Sequence, residues 1–153
     1  MMIPDDSWTA PGGGVEVNMF QTTDTEFDPF GMYNTDEDGN PRFTIPKSGV
    51  WYVICETAVA LPEMDGEDAI VRLQIHRNGG PQWIRDRTFA APDDENESLM
   101  LPPIHLPRKL DEGDHIAASA FSHHEADPAN GPDLEFSGSP TETLLALLWL
   151  GQD

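Results

Sequence analysis

Residues 43–52 read Phe43-Thr44-Ile45-Pro46-Lys47-Ser48-Gly49-Val50-Trp51-Tyr52. Pro46 has no N–H to give to a β-ladder and Gly49 can take a tight or left-handed turn, so the two together mark a corner between strands. The spacing predicts a short strand over 43–45 and a long one over 50–60. Outward from this corner, apolar residues alternate or run in short stretches bounded by Gly, Pro, Asn and Asp, which is a strand-and-turn pattern. Further strands are predicted over 15–20, 26–30, 69–77, 82–89, 98–106, 115–122 and 143–150, with a turn-rich stretch at 34–41 and an Asn78-Gly79 turn. No segment carries a convincing helical period.

The chain has 14 prolines and 13 glycines. Their placement between about eight to ten short strands predicts an all-β, single-domain antiparallel sandwich of the jelly-roll type. Residues 1–14, with Gly12-Gly13-Gly14, read as a flexible N-terminal segment, and 15–153 as the head domain.

Composition narrows the function classes. The 153 residues carry 28 Asp plus Glu against 8 Lys plus Arg, a formal net charge of −20. Phosphate backbones and anionic lipid repel such a chain, so neither nucleic acid nor a membrane is expected as a partner. The acids are scattered through nearly every loop and only Lys47 and Lys109 are lysines. Acid-rich, lysine-poor surfaces resemble those of proteins from extreme halophiles, where multi-molar salt screens self-repulsion over about 3 Å. Cys55 is the single cysteine, which excludes an intrachain disulfide and a thiolate-rich metal site.

The order of the motifs resembles a known family. The segment 43–52 looks like the aromatic-x-x-Pro-x-x-Gly-x-aromatic stretch of the complement-type globular head, a branch of the tumour-necrosis-factor-like jelly rolls. In the expected order follow Val71-Arg72-Leu73-Gln74-Ile75-His76-Arg77-Asn78-Gly79, then Leu110-Asp111-Glu112-Gly113-Asp114-His115-Ile116, then a closing apolar strand. Residues 27–33 resemble the preceding strand and loop, and Phe136-Ser137-Gly138 part of the terminal motif, although several polar residues intervene before Leu144. The resemblance covers about residues 15–150. It implies a homotrimer with the last strand near the threefold axis.

That closing strand is apolar on both faces. Leu144, Leu145, Ala146, Leu147, Leu148, Trp149 and Leu150 point alternately to either side, so one set can enter the sandwich while the other needs separate cover. Leu144, Leu145, Leu147, Leu148, Trp149 and Leu150 are therefore the candidate trimer interface.

Candidate chemistry is sparse. His123, His124, Glu125 and Asp127 form the densest group of possible metal ligands, but adjacent histidines on a strand face opposite ways, unlike the separated ligands of cupin enzymes. The stretch 123–133 reads instead as an exposed binding loop. The acidic clusters Asp36-Glu37-Asp38, Asp65-Gly66-Glu67-Asp68 and Asp93-Asp94-Glu95 lack a calcium loop's closing bidentate Glu. His105 and His115 read as packing residues. Cys55, in an apolar strand, reads as a core thiol. No nucleophile elbow or phosphate-binding glycine loop is present. No catalytic residue, cofactor or metal is expected.

These readings converge on a non-enzymatic trimeric module on the virion surface of a haloarchaeal virus, as a capsid turret, decoration or fibre head. Its expected partners are its own copies, other virion proteins, and a host surface glycan or protein. The alternatives are a secreted or cell-surface binding module of a halophile and, further off, a cupin-like metal enzyme.

Overall fold

The computed structural model describes residues 1–4, 8–10, 12–14, 16–19, 23–24, 28–60, 68–89, 99–124, 127, 129–136 and 143–152. Among them every regular element is a strand: β1 (Ile3–Pro4), β2 (Trp8–Ala10), β3 (Val17–Asn18), β4 (Thr23–Asp24), β5 (Tyr33–Thr35), β6 (Pro41–Thr44), β7 (Gly49–Glu56) and β8 (Ala58–Ala60). They continue with β9 (Ala69–Arg77), β10 (Gly80–Phe89), β11 (Leu99–Met100), β12 (Ile104–Leu110), β13 (His115–His124), β14 (Leu134–Phe136) and β15 (Leu144–Gly151). All pairings are antiparallel.

Two layers result. One is β10-β9-β13-β6-β5, with β3 joined to β13 beyond β6. The other has β7 at its centre, flanked by β12 and β15. Past Thr57 the same chain continues as β8, now flanked by β11 and β14. Thr57 and Thr143 mark this change of partner, both fully buried with their hydroxyl oxygens 3.1 Å apart.

Period-two patterning builds the core. Along β7 the buried residues are Gly49, Trp51, Val53 and Cys55, and the alternate set is half-buried. Val71, Leu73 and Ile75 of β9, Ile116, Ala118 and Ala120 of β13, and Leu145 and Leu147 of β15 meet them in one cluster. Each buried Val, Leu or Ile among them contributes about 1.5–3 kcal/mol on leaving water.

The corner at 43–52 behaves as its residues dictate. Ile45 N–H donates to Asp114 C=O and Gly113 N–H to Ile45 C=O, both at 2.8 Å, while Ser48 Oγ accepts from Glu112 N–H at 2.9 Å. The two predicted corners thus hold each other. At Gly49 an added Cβ would lie 2.5 Å from Gly151 C=O, so glycine is needed for the close approach of β15. Asn78 takes a left-handed conformation (φ 54°) in the two-residue turn between β9 and β10, the primed turn that suits a hairpin.

Several expectations are corrected. The strand expected over 26–30 is, in its described part, a turn at 28–31, because the Asp28 carboxylate accepts from the N–H groups of Met32 (2.9 Å) and Tyr33 (2.8 Å). Strand β5 lies instead in the stretch read as turn-rich. The strand expected over 98–106 is broken at Pro102-Pro103 and resumes as β12, which runs on to Leu110. Pro107 is tolerated there because, among the described residues, β12 pairs only with β7 and is an edge strand.

The described residues of 1–14 join the sandwich. Met2 is fully buried and exchanges both backbone hydrogen bonds with Leu145, and β2 pairs with β14. The glycines at 12–14 serve close contact: Gly14 N–H donates to Ser122 C=O at 2.7 Å, and Gly12 has no room for a Cβ against Gly131 C=O.

Candidate functional site

The outward face of β12-β7-β15 carries apolar surface that the described residues leave without cover. Register places Ala146 opposite Ile54 and Ile54 opposite His105, and in the next row Leu148 opposite Tyr52 and Tyr52 opposite Pro107. Leu148 is 52% exposed and Leu150 59% exposed, while Tyr52, Ile54, Leu144 and Ala146 are half-buried. Two polar groups border the patch: His105 Nε2 lies 2.6 Å from Glu56 Oε1, and the His105 ring lies 6.4 Å from that of Tyr52. His105, expected as a packing residue, is thus an exposed member of this face.

The structure sorts the six candidate interface residues. Leu145 and Leu147 belong to the chain's own core, so they are removed from the interface set. Leu144, Leu148 and Leu150 remain available. Trp149 departs from the alternation because the ladder shifts register between Trp149 and Gly151. Its ring instead receives Lys47, whose Nζ lies 3.1 Å from the ring centroid and 5.1 Å from that of Phe30. Such a cation between aromatic faces holds the corner to the last strand. Tyr52 and Ile54 were missed in the sequence, though the signal was there: β7, like β15, is apolar at both its odd and even positions.

The stretch 123–133 is not one exposed loop. His123 and His124 are the last residues of β13 and face opposite ways. His123 stacks on Phe121 at 5.9 Å between centroids. His124 is 7% exposed, with Nδ1 buried and unpartnered, so it is corrected from binding loop to interior. Asp127 is exposed and its carboxylate accepts from Asn130 Nδ2 (2.6 Å) and Ala129 N–H (3.2 Å), which closes a local turn. Glu125 lies outside the described residues, as do most of 65–68 and all of 93–95. Asp36 likewise serves its own turn, accepting from the N–H groups of Asp38 and Asn40.

The clearest electrostatic centre is structural. Asp114 is 6% exposed. It accepts from Asp111 N–H (2.7 Å) and Asn78 Nδ2 (2.7 Å), and Arg77 Nη2 lies 2.6 Å away. Burial raises the Asp114 pKa, but these hydrogen bonds and the Arg77 charge outweigh it and hold the carboxyl below its ordinary value. Arg72 grips Asp86 with two hydrogen bonds, at 2.6 and 2.7 Å. These bonds outweigh partial burial and lower the Asp86 pKa. Burial, with the Glu56 charge, pushes the Cys55 thiol far up, which leaves it protonated and a poor nucleophile.

No protein-family model matches the chain, and no curated protein matches it by sequence. Among solved structures it is similar to the Eiger TNF of S. frugiperda, with a TM-score of 0.61 over 97% of this chain and 94% of that one, at 13% identity. At that identity the likeness concerns the fold. Together with the two antiparallel layers and the tied corners, it establishes that this chain has a tumour-necrosis-factor-like jelly-roll fold.

Proposed function

We propose that the protein is a non-enzymatic homotrimeric head, a structural or attachment module on the particle surface of a haloarchaeal virus, as a capsid turret, decoration or fibre head. The observation that carries the trimer is the apolar face of Tyr52, Ile54, Leu144, Ala146 and Leu148, set on a protein of net charge −20. Such a face on a highly charged chain calls for a partner, and three copies around an axis would cover it with identical surfaces in a closed, head-to-tail ring. Threefold display then multiplies a weak contact through avidity. The halophilic setting is supported by 28 carboxylates around one small core, whose mutual repulsion at neutral pH is relieved when salt shortens its range. The virion assignment rests on the family resemblance and on this composition.

The test is the mass of the purified protein in molar KCl by light scattering. Three times 16.9 kDa is expected; a stable folded monomer at micromolar concentration overturns the trimer and the head built on it. Stoichiometric recovery with purified particles separates the virion role from a secreted or cell-surface one.

A further inference from the structure

A half-open cleft of about 780 Å3 lies on the outward face of the six-stranded layer, within the range of about 300–1,000 Å3 usual for ligand pockets. It forms where β13 changes neighbour. On one side of β13, β6 pairs with His115 and Ile116 and β3 with Ser119 and Ala120, so the stretch between them carries only Ala117 on its outward side. A methyl floor results between taller walls. Those walls are Glu16, Asp36, Asn40, Arg42, His76 and His115.

The wall groups are positioned by their own contacts. Arg42 is anchored at Nε by Asn34 Oδ1 (2.7 Å), and among the described residues its terminal nitrogens carry no hydrogen bond that would keep them from a ligand. His115 Nδ1 lies 3.0 Å from Thr44 Oγ1. Glu16 Oε1 accepts from Ser119 Oγ at 2.7 Å and lies 2.7 Å from His76 Nε2, which is itself 2.8 Å from Ser119 Oγ. This trio is no nucleophile relay, because the carboxylate and the hydroxyl meet the same ring nitrogen, whereas a relay uses opposite ones.

The lining selects by chemistry. Glu16 and Asp36 oppose phosphate or sulfate. Arg42 opposes a bare metal cation, and both carboxylates are already engaged, Asp36 by Asn40 and Asp38 and Glu16 by Ser119. The apolar part of the lining, Pro41, Ala117 and Ala118, is small and is ringed by polar side chains. Donors and acceptors together around a small apolar floor suit a ligand whose groups both donate and accept and whose ring presents C–H bonds.

We propose that this cleft binds an uncharged saccharide. The inference rests on the attachment role for its biological use, but the cleft is built within one chain and can be tested apart from assembly. The probes are methyl mannoside, methyl galactoside and N-acetylglucosamine, with inorganic phosphate as the anionic comparison, all in molar KCl. The readout is the imidazole C–H resonances of His76 and His115. At least one saccharide is expected to shift both resonances saturably, phosphate neither, and Arg42→Ala to weaken the saccharide by about tenfold or more, the size of one lost charge-assisted hydrogen bond. Arg72→Ala, on the same face but outside the cleft, keeps the affinity. Circular dichroism of Arg42→Ala confirms that the variant is folded.

The inference is overturned if no saccharide shifts the two histidines, if phosphate shifts them more strongly, or if folded Arg42→Ala binds as wild type does. Mass measured on the same samples separates the two readings. Saccharide binding by a monomer removes the trimer and leaves the cleft, whereas a trimer without saccharide shifts does the reverse.

Discussion

The outward face of β12-β7-β15 carries Tyr52, Ile54, Ala146 and Leu148 in adjacent rows, whereas the outward face of β5-β6-β13-β9-β10 carries Asn34, Arg42, Thr44, His115, His76 and Arg72. Both rest on the same core. The first presents atoms that water does not solvate well, and its polar groups stand at its edge. The second presents groups tied to one another, Asn34 to Thr44 and Arg42, Arg72 to Asp86, and already satisfied in water. A sandwich can therefore separate its tasks by face: one layer offers area to be covered, the other a lined cleft for a small polar ligand. The difference arises from side chains alone, since both layers use the same alternating backbone.

The sharpest way to break the comparison is to place one charge on either side of the same strand. Leu145→Asp puts a carboxylate into the core and is expected to prevent folding, because an unpaired buried charge costs more than a domain of this size can spare. Leu148→Asp is expected to leave a folded chain that runs at 16.9 kDa in light scattering. If both variants unfold, the two faces of β15 are not separable.

Trp51→Ala removes the side chain behind the apolar face while leaving that face in place. The ring is fully buried, its Nε1 donates to Lys47 C=O at 3.2 Å, and Phe30 meets it edge-on. A loss of about 3–5 kcal/mol is expected in denaturant unfolding. A loss below about 1 kcal/mol would mean that the corner at 43–52 does not anchor the sandwich.

Asp114→Asn tests the knot at the end of the polar layer. At neutral pH it should cost about 2–3 kcal/mol, since Arg77 loses the nearer and more buried of its two carboxylate partners, Asp114 and Asp111. Because the folded Asp114 pKa lies below its ordinary 3.8, its stabilisation is fully present above that value and is lost as pH falls through the lower folded one. The gap in thermal midpoint between wild type and variant should therefore be constant near neutrality and narrow below about pH 4. A gap that widens on acidification contradicts the sign.

The smallest effect is expected at Arg72. Although bidentate, the Arg72–Asp86 pair is solvent-accessible, with side chains 33% and 43% exposed. Arg72→Lys should change stability by less than about 1 kcal/mol, and less again in molar salt. A larger loss would mean that the polar face contributes to the fold and not only to its surface.

Legibility followed sequence distance. The corner at 46–49, the Asn78-Gly79 hairpin and the turn before β13 were readable because a missing N–H or a permitted left-handed backbone acts locally. In its described part, 28–30, the strand expected over 26–30 is a turn because one carboxylate, Asp28, captures two backbone donors. Strands β2 and β14 went unread because three residues each carry little periodicity, and they become strands only by pairing with each other and with β8.

By itself the sequence determined that the chain is all-β, that β7 and β15 are apolar on both sides, and that the surface is strongly acidic. Those properties follow from period-two patterning and composition, which need no partner to be read. Only the tertiary structure decided which face of β15 is core, because register with β7 fixes it and a slip of one residue would exchange the faces. It also moved His124 to the interior, drew Trp149 onto Lys47, and gathered Glu16, Arg42, His76 and His115 around Ala117 from four separate strands and loops. Residues up to 103 positions apart meet there, and no local rule of sequence records a contact made by the closure of a sheet.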